Sequence, residues 1–143
     1  MKRIKQSVAV AIFDPSDRNR LLCVQRPDDD QDLPNVWGLP ASSLLSGESF
    51  EDAVLRTGRE KLGVFLAIVR ELTRGSQERD DYKLEMRLFE AMIDRGEPVV
   101  PQPVNGVTQY QDWAFDTAER LSAGAEVGSL CCGLYYLADR LPG

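Results

Sequence analysis

The stretch GESFEDAVLRTGREKLG, residues 47–63, holds the side chains best placed to do chemistry together. If it is helical, Arg56 and Glu60 are neighbours four residues apart, with Glu48 just ahead of the helix. Positions 57, 60 and 61 then share one face, at i, i+3 and i+4. Carboxylates at all three would converge on divalent cations, which prefer oxygen ligands. Here that face carries Thr57, Glu60 and Lys61, so only one of the three is acidic. Plainer readings stand beside the chemical one: Arg56 and Glu60 as an exposed salt bridge of small worth, Glu48 as a charge favouring the positive end of the helix dipole, and Lys61 as a solvated cation. The chain has no histidine, which excludes His-dependent triads, His-ligated zinc and imidazole bases.

The elements that must position these residues are legible on either side. Ser49 reads as an N-cap, with Asp52 three residues on in an acidic variant of the capping box. Phe50, Ala53, Val54 and Leu62 recur at helical spacing, and Gly63 is a natural terminator. Gly58 inside this helix costs about 0.8–1 kcal/mol relative to alanine, which predicts a close packing contact there. Upstream, Val8–Phe13 and Leu21–Gln25 read as a hairpin across Asp14–Asp17. Residues 26–36 form a polar loop in which Asp28, Asp29, Asp30 and Asp32 are read as solvated and not as a metal site.

Downstream, Val64–Thr73 and Tyr82–Ile93 read as strands joined by a charged turn over 74–81. In the second, Tyr82, Leu84, Met86 and Leu88 alternate with Lys83, Glu85 and Arg87, the pattern of a half-buried strand. Residues 95–106 hold three prolines and two glycines and form a loop, before a last strand over 107–114. Leu130, Leu134, Leu137 and Leu141, after a Ser129 cap, predict a closing helix with a packed leucine stripe. Strands and helices mixed in this order predict an α/β or α+β sandwich with a mixed sheet between helices.

At 143 residues the chain fits one domain, 1–143, able to bury about 68–70% of its unfolded surface. With 43% apolar and 28% charged residues it needs neither a disulfide lattice nor a metal to hold a core. A net charge of −6 and a pI near 4.7 argue against duplex nucleic acid, while a locally positive pocket for a small phosphorylated ligand stays open. The opening MKRIKQSVAVAIF reads as a first strand and not a signal peptide, and no apolar run reaches the roughly 18 residues of a membrane span. Cys23, Cys131 and Cys132 are read as buried free thiols, which places the chain in the cytoplasm. Tyr135, Tyr136 and the final apolar helix are candidate contacts for a homodimer.

The central stretch resembles the box of the Nudix hydrolases (MutT-like proteins), G-x5-E-x7-R-E-U-x-E-E-x-G-U, with U a bulky aliphatic residue. Glu48, Arg56, Glu60, Gly63 and Val64 match it. Ser42 stands in place of glycine, Thr57 and Lys61 in place of glutamates, and Gly58 in place of the aliphatic residue. NVWGLPAS resembles the segment leading into the box, RLLCVQRP the strand before that, and YQDWAFDTAERL the segment after it, so the likeness spans nearly the whole chain.

The resemblance implies a Nudix-type α/β/α sandwich that hydrolyses a nucleoside diphosphate linked to another moiety, with water attacking phosphorus and Mg²⁺ or Mn²⁺ assisting. It implies Glu48 and Glu60 as metal ligands, Glu60 and Arg56 as catalytic residues, and Ala41, Ser42 and Lys61 against the substrate, with the Lys61 ammonium meeting a diphosphate where a metal would otherwise bridge. Asp112 is the candidate base, and Glu85, Glu90 and Asp112 are the candidates to rebuild a metal site. Exchanging two glutamates for threonine and lysine takes the shared face from −3 to 0. Unit charges about 4 Å apart interact by roughly 4 kcal/mol at an effective dielectric of 20, so any Mg²⁺ or Mn²⁺ is expected to bind weakly. Three function classes remain: a hydrolase with changed metal demand, a non-catalytic module binding a nucleotide or a protein, and an unrelated α+β structural protein. Specificity would come from residues 95–106 and the acidic loop before Trp37.

Overall fold

The computed structural model describes residues 2–30, 33–104 and 106–139. Its centre is β1 (Arg3–Asp14), in which Val8 to Ile12 are fully buried on both faces. Side chains alternate across a strand, so this one run feeds two cores. Val8, Val10 and Ile12 join Leu22, Val24, Ala53, Val54 and Leu62 on one face. Ala9 and Ala11 join Leu21, Cys23, Leu88, Cys132 and Leu134 on the other.

β1 turns into β2 (Asp17–Gln25), forming the expected antiparallel hairpin, and pairs in parallel with β6 (Tyr82–Arg95) from Arg3↔Tyr82 to Ile12↔Ala91. Beyond β6 lies β5 (Phe65–Glu78); β3 (Trp37–Gly38) and β7 (Asp112–Asp116) both pair with β2, and β4 (Ala41–Ser43) pairs with β1 at Ser7–Ala9. The result is a mixed seven-stranded sheet with helices against it, the architecture expected from the order of elements.

Helix α1 (Phe50–Thr57) begins as its sequence requires: the Ser49 side chain accepts from the Asp52 backbone N–H at 3.0 Å. The same stretch continues to Leu62 in a wider form, with i→i+5 bonding over Gly58–Leu62, and closes at Gly63 in the left-handed region at φ +70°. Gly58 sits where its spacing predicts crowding. A Cβ there would lie 2.7 Å from Leu66 Cγ and 3.1 Å from the Val64 carbonyl oxygen.

Several expected boundaries move. β5 runs on to Glu78 because Arg74–Glu78 pair with Lys83–Arg87, leaving only a tight turn where a longer charged one was expected. The last strand is Asp112–Asp116, aligned to β2 through Leu21–Gln25, and not 107–114. A 3₁₀ turn (Ala118–Leu121) and the short helix α2 (Ser122–Glu126) follow it, neither anticipated. In α3 (Leu130–Asp139) Leu134 is buried, but Leu137 is 58% exposed, so the leucine stripe is not a continuous core seam; Leu141 lies outside the described residues.

Gly58→Ala should therefore destabilise the protein by about 1–3 kcal/mol in urea denaturation, through overpacking against Leu66 that outweighs the better helix propensity of alanine.

Candidate functional site

Arg56 organises the loop ahead of α1. Its guanidinium donates to both Glu48 oxygens at 2.9 and 3.0 Å, to Glu60 Oε2 at 3.1 Å and to the Ser43 carbonyl at 2.7 Å. Glu48 also accepts from the Leu45 backbone N–H at 3.0 Å, so both its oxygens are engaged. Arg56 and Glu48 expose only 11% and 13% of their side chains and Glu60 30%, which makes this a half-buried fork and not the solvated pair of the plainer reading. The Arg56 hydrogen bonds hold the Glu48 carboxyl below its usual range.

Thr57 and Lys61 face another way, towards β4. Thr57 is fully buried; its hydroxyl lies 2.8 Å from Ser42 Oγ and donates to the Ala53 carbonyl at 2.7 Å. Lys61 Nζ donates to the Ala41 carbonyl at 2.5 Å and lies 5.2 Å from the centre of the Tyr110 ring. Tyr110 grips the same residue, accepting from Ala41 N–H at 2.8 Å and donating to its carbonyl at 3.2 Å. The face expected to be shared by Thr57, Glu60 and Lys61 is thus divided: Glu60 turns to Arg56, the other two to β4. Gln109 Nε2 pins the widened turn by donating to the Glu60 carbonyl at 3.0 Å, and Val99 N–H does so at Leu62.

Beside Lys61 opens a cleft of about 240 Å³ lined by Ala41, Ser42, Ser43, Arg26 and Tyr110, with Pro27, Leu33 and Val36 from the loop before Trp37. Among the described residues its lining includes the cations Lys5, Arg26, Lys61 and Arg79 and no carboxylate, although Arg26 is paired with Asp30 beside it. The expected substrate-side residues Ala41, Ser42 and Lys61 all meet here. Desolvation, and then the charges of Arg26 and Arg56, push Lys61 down to about 8. A shallower groove of about 720 Å³, sharing Lys5 and Ser43 with the cleft, runs to Gly47 and Glu48.

The other acidic candidates do not come to this place. Glu90 is buried between Arg18 at 3.2 Å and Arg70 at 3.1 Å. Glu85 lines a separate pocket with Phe50, Arg74 and Arg87. Asp112 is exposed, accepts from Trp113 N–H at 2.8 Å and does not line the cleft. Asp30 is no solvated charge: Arg26 donates to it at 3.0 and 3.1 Å and Leu33 N–H at 2.8 Å, while Asp32 lies outside the described residues. Among the described residues no three Asp, Glu, Cys or His side chains assemble as a metal-binding group.

Tyr135 is buried, and the half-buried Tyr136 donates to the Ala118 carbonyl at 2.7 Å. Trp113 packs on the first core, edge-on to Phe115, and Trp37 on the second, under Arg120. Sequence reasoning missed Lys5, Arg26, Arg79 and Tyr110. For Lys5 a signal existed: it shares strand phase with Ser7 and Ala9.

The NUDIX domain family model matches residues 3–121, and the chain belongs to that family. Among solved structures, it is similar to the MutT protein from Methanosarcina mazei (TM-score 0.76, 15% identity, 97% of this chain and 95% of that one). It is also similar to the E. coli ORF135 protein (TM-score 0.70, 18% identity, 99% and 96%) and to an ADP-ribose pyrophosphatase from Streptococcus suis (TM-score 0.65, 18% identity, 97% and 94%). No curated protein matches the chain in sequence. At these identities the solved structures establish the shared fold.

Two predictions follow from the site's electrostatics. Arg56→Met leaves two half-buried carboxylates without their cation, and should cost roughly 2–4 kcal/mol in chemical denaturation at pH 7. Because Glu48 is depressed in the folded state, its contribution is present above the unfolded carboxylate range and lost as pH falls through its folded value, so the variant should lose less stability on acidification than the parent. Lys61 works in the opposite sense. Between about 8 and 10.5 the unfolded chain keeps a proton that the folded chain has released, so stability rises with pH in that window. Lys61→Met should flatten that rise and stabilise the protein at pH 7 by on the order of 2 kcal/mol, with Tyr110 still satisfying the Ala41 carbonyl.

Proposed function

We propose that this protein binds a nucleoside diphosphate derivative in the Lys61 cleft, with Lys61 and Arg26 drawing its phosphates, and that Mg²⁺- or Mn²⁺-dependent hydrolysis is weakened or lost. The observation that carries this reading is the lining itself: among the described residues, four cations and no carboxylate, in a chain of net charge −6. A phosphate in a half-buried site gains most from charge-assisted donors of this kind. The ADP-ribose pyrophosphatase among the similar folds supports the choice of ligand class.

The residues do not fit a cluster of divalent ions. Thr57 is sealed under Ser42, Lys61 brings a positive charge, and Arg56 occupies both oxygens of Glu48 and one of Glu60. Hard cations need several free oxygens converging on one point, and these carboxylates converge on a guanidinium instead. Glu60 and Arg56 accordingly act as positioning residues for the loop over 43–48, and Asp112 takes no part. Three buried free thiols, with Cys23 pushed up to about 12 by burial, support a reducing, cytoplasmic setting. Among the described residues no helix is long and apolar enough to cross a membrane.

Calorimetric titration with ADP-ribose should give binding that survives EDTA and weakens roughly tenfold in Lys61→Met, the loss of one charge-assisted contact. Rapid turnover of ADP-ribose with Mg²⁺ or Mn²⁺, abolished by Glu60→Gln, would overturn the proposal in favour of a working hydrolase.

A further inference from the structure

The cations of the cleft fall into two groups. Lys61 is anchored on Ala41, which pairs with Ala9 of β1. Lys5 lies four residues back on the same strand and the same face, roughly 13 Å away at 3.3 Å per residue. Around Lys5 the wall is made by Tyr82, which pairs with Arg3 across the β1–β6 register, and by Arg79, whose backbone N–H donates to the Tyr82 carbonyl at 2.8 Å. Leu84 and Met86 line the cleft between these ends.

The far end is charged without compensation. Most arginines of this chain are in ion pairs: Arg18, Arg20, Arg26, Arg56, Arg70, Arg74, Arg87 and Arg120 each have a carboxylate partner. Among the described residues Lys5 and Arg79 have none. Lys5 Nζ rests 5.4 Å from the centre of the Tyr82 ring, and Arg79 Nε is buried with no hydrogen-bond acceptor. A buried donor of a charged group left unpaired is costly, and an anionic oxygen is the acceptor that would satisfy it. Of the nearby carboxylates, Glu78 is held by Lys2 at 3.1 Å, and Asp80 and Asp81 are exposed and do not line the cleft.

We propose that Lys5, Tyr82 and Arg79 form a second anion subsite, so that the favoured ligand is a nucleoside diphosphate derivative carrying a further phosphate group apart from its diphosphate. This rests on the reading of the Lys61 end as the diphosphate site. It adds that the ligand carries a second anionic group apart from the diphosphate, with Leu84 and Met86 lining the cleft between the two subsites. The Tyr82 ring lies under Lys5, and its phenol joins the two cations in contacting the phosphate.

The test is a matched pair of ligands, ADP-ribose and the same molecule bearing a phosphomonoester on its adenosine ribose, titrated calorimetrically against the full chain. The parent protein should prefer the phosphorylated member by about tenfold or more, as expected for a charge-assisted contact in a half-buried site. In the Lys5→Met, Arg79→Gln double variant the ratio should fall towards one, whereas Lys61→Met should weaken both ligands and leave the ratio in place. Thermal melts confirm that each variant is folded, and Arg79→Lys, which keeps the charge, should retain most of the preference. Equal binding of the two ligands by the parent would overturn the second subsite and leave the diphosphate site standing. A ratio unmoved by the double variant would place the extra phosphate elsewhere and overturn it too. Binding of neither ligand would overturn both proposals. UDP-glucose and UDP-glucuronate form the control arm: a preference for the glucuronate of the same size would show that the subsite takes any anion and overturn its assignment to phosphate.

Discussion

The guanidinium of Arg56 ties together three pieces of chain that have little else in common. It reaches Glu48 in the loop, Glu60 one turn along its own helix, and the carbonyl of Ser43 at the end of β4. Planar, delocalised and always charged, it suits this fork geometry as lysine could not. The loop between β4 and α1 is joined to β1 through the Leu44 backbone N–H, which donates to the Gln6 carbonyl at 3.0 Å, and Arg56 fixes its far half by holding Glu48. The position of β4 in turn decides where the Ala41 carbonyl lies, and with it where Lys61 ends.

Arg56 and Lys61 sit five residues apart and meet opposite conditions. Arg56 is surrounded by acceptors, and its neighbours reinforce its charge. Lys61 is enclosed by the Tyr110 ring and a single carbonyl, with Arg26 and Arg56 as repelling neighbours. Such an ammonium is only partly compensated in the free protein, by the weaker pull of Glu60 and Asp30. That is an expensive arrangement in stability, and it becomes reasonable where an anion is the missing partner.

Much of the fold could be read from the residues. The apolar run of β1, buried on both faces, is what a central strand requires, and Ser49, Gly58 and Gly63 each do locally what their types dictate. The failures have physical reasons as well. The widened turn over Gly58–Leu62 replaces the i→i+4 spacing on which the shared face of Thr57, Glu60 and Lys61 was based, so the charge count was right and the direction was not. β7 begins at Asp112 because register with β2 outweighs the local apolar pattern of 107–111. Lys5 and Arg79 lie 74 residues apart in sequence, and only the parallel pairing of β1 with β6, which follows the β5–β6 turn, brings them to one wall. No local spacing encodes that meeting.

The i→i+5 turn also sets the angular offset between the two halves of the helical segment about their common axis. An ordinary α-helix advances 100° per residue, so removing a single residue from this turn would swing the side chain at position 61 by a comparable angle without disturbing Ser49, Ala53 or Val54. The length of this turn thus sets the angle at which position 61 meets the cleft, separately from the cap and the core contacts of the first turns.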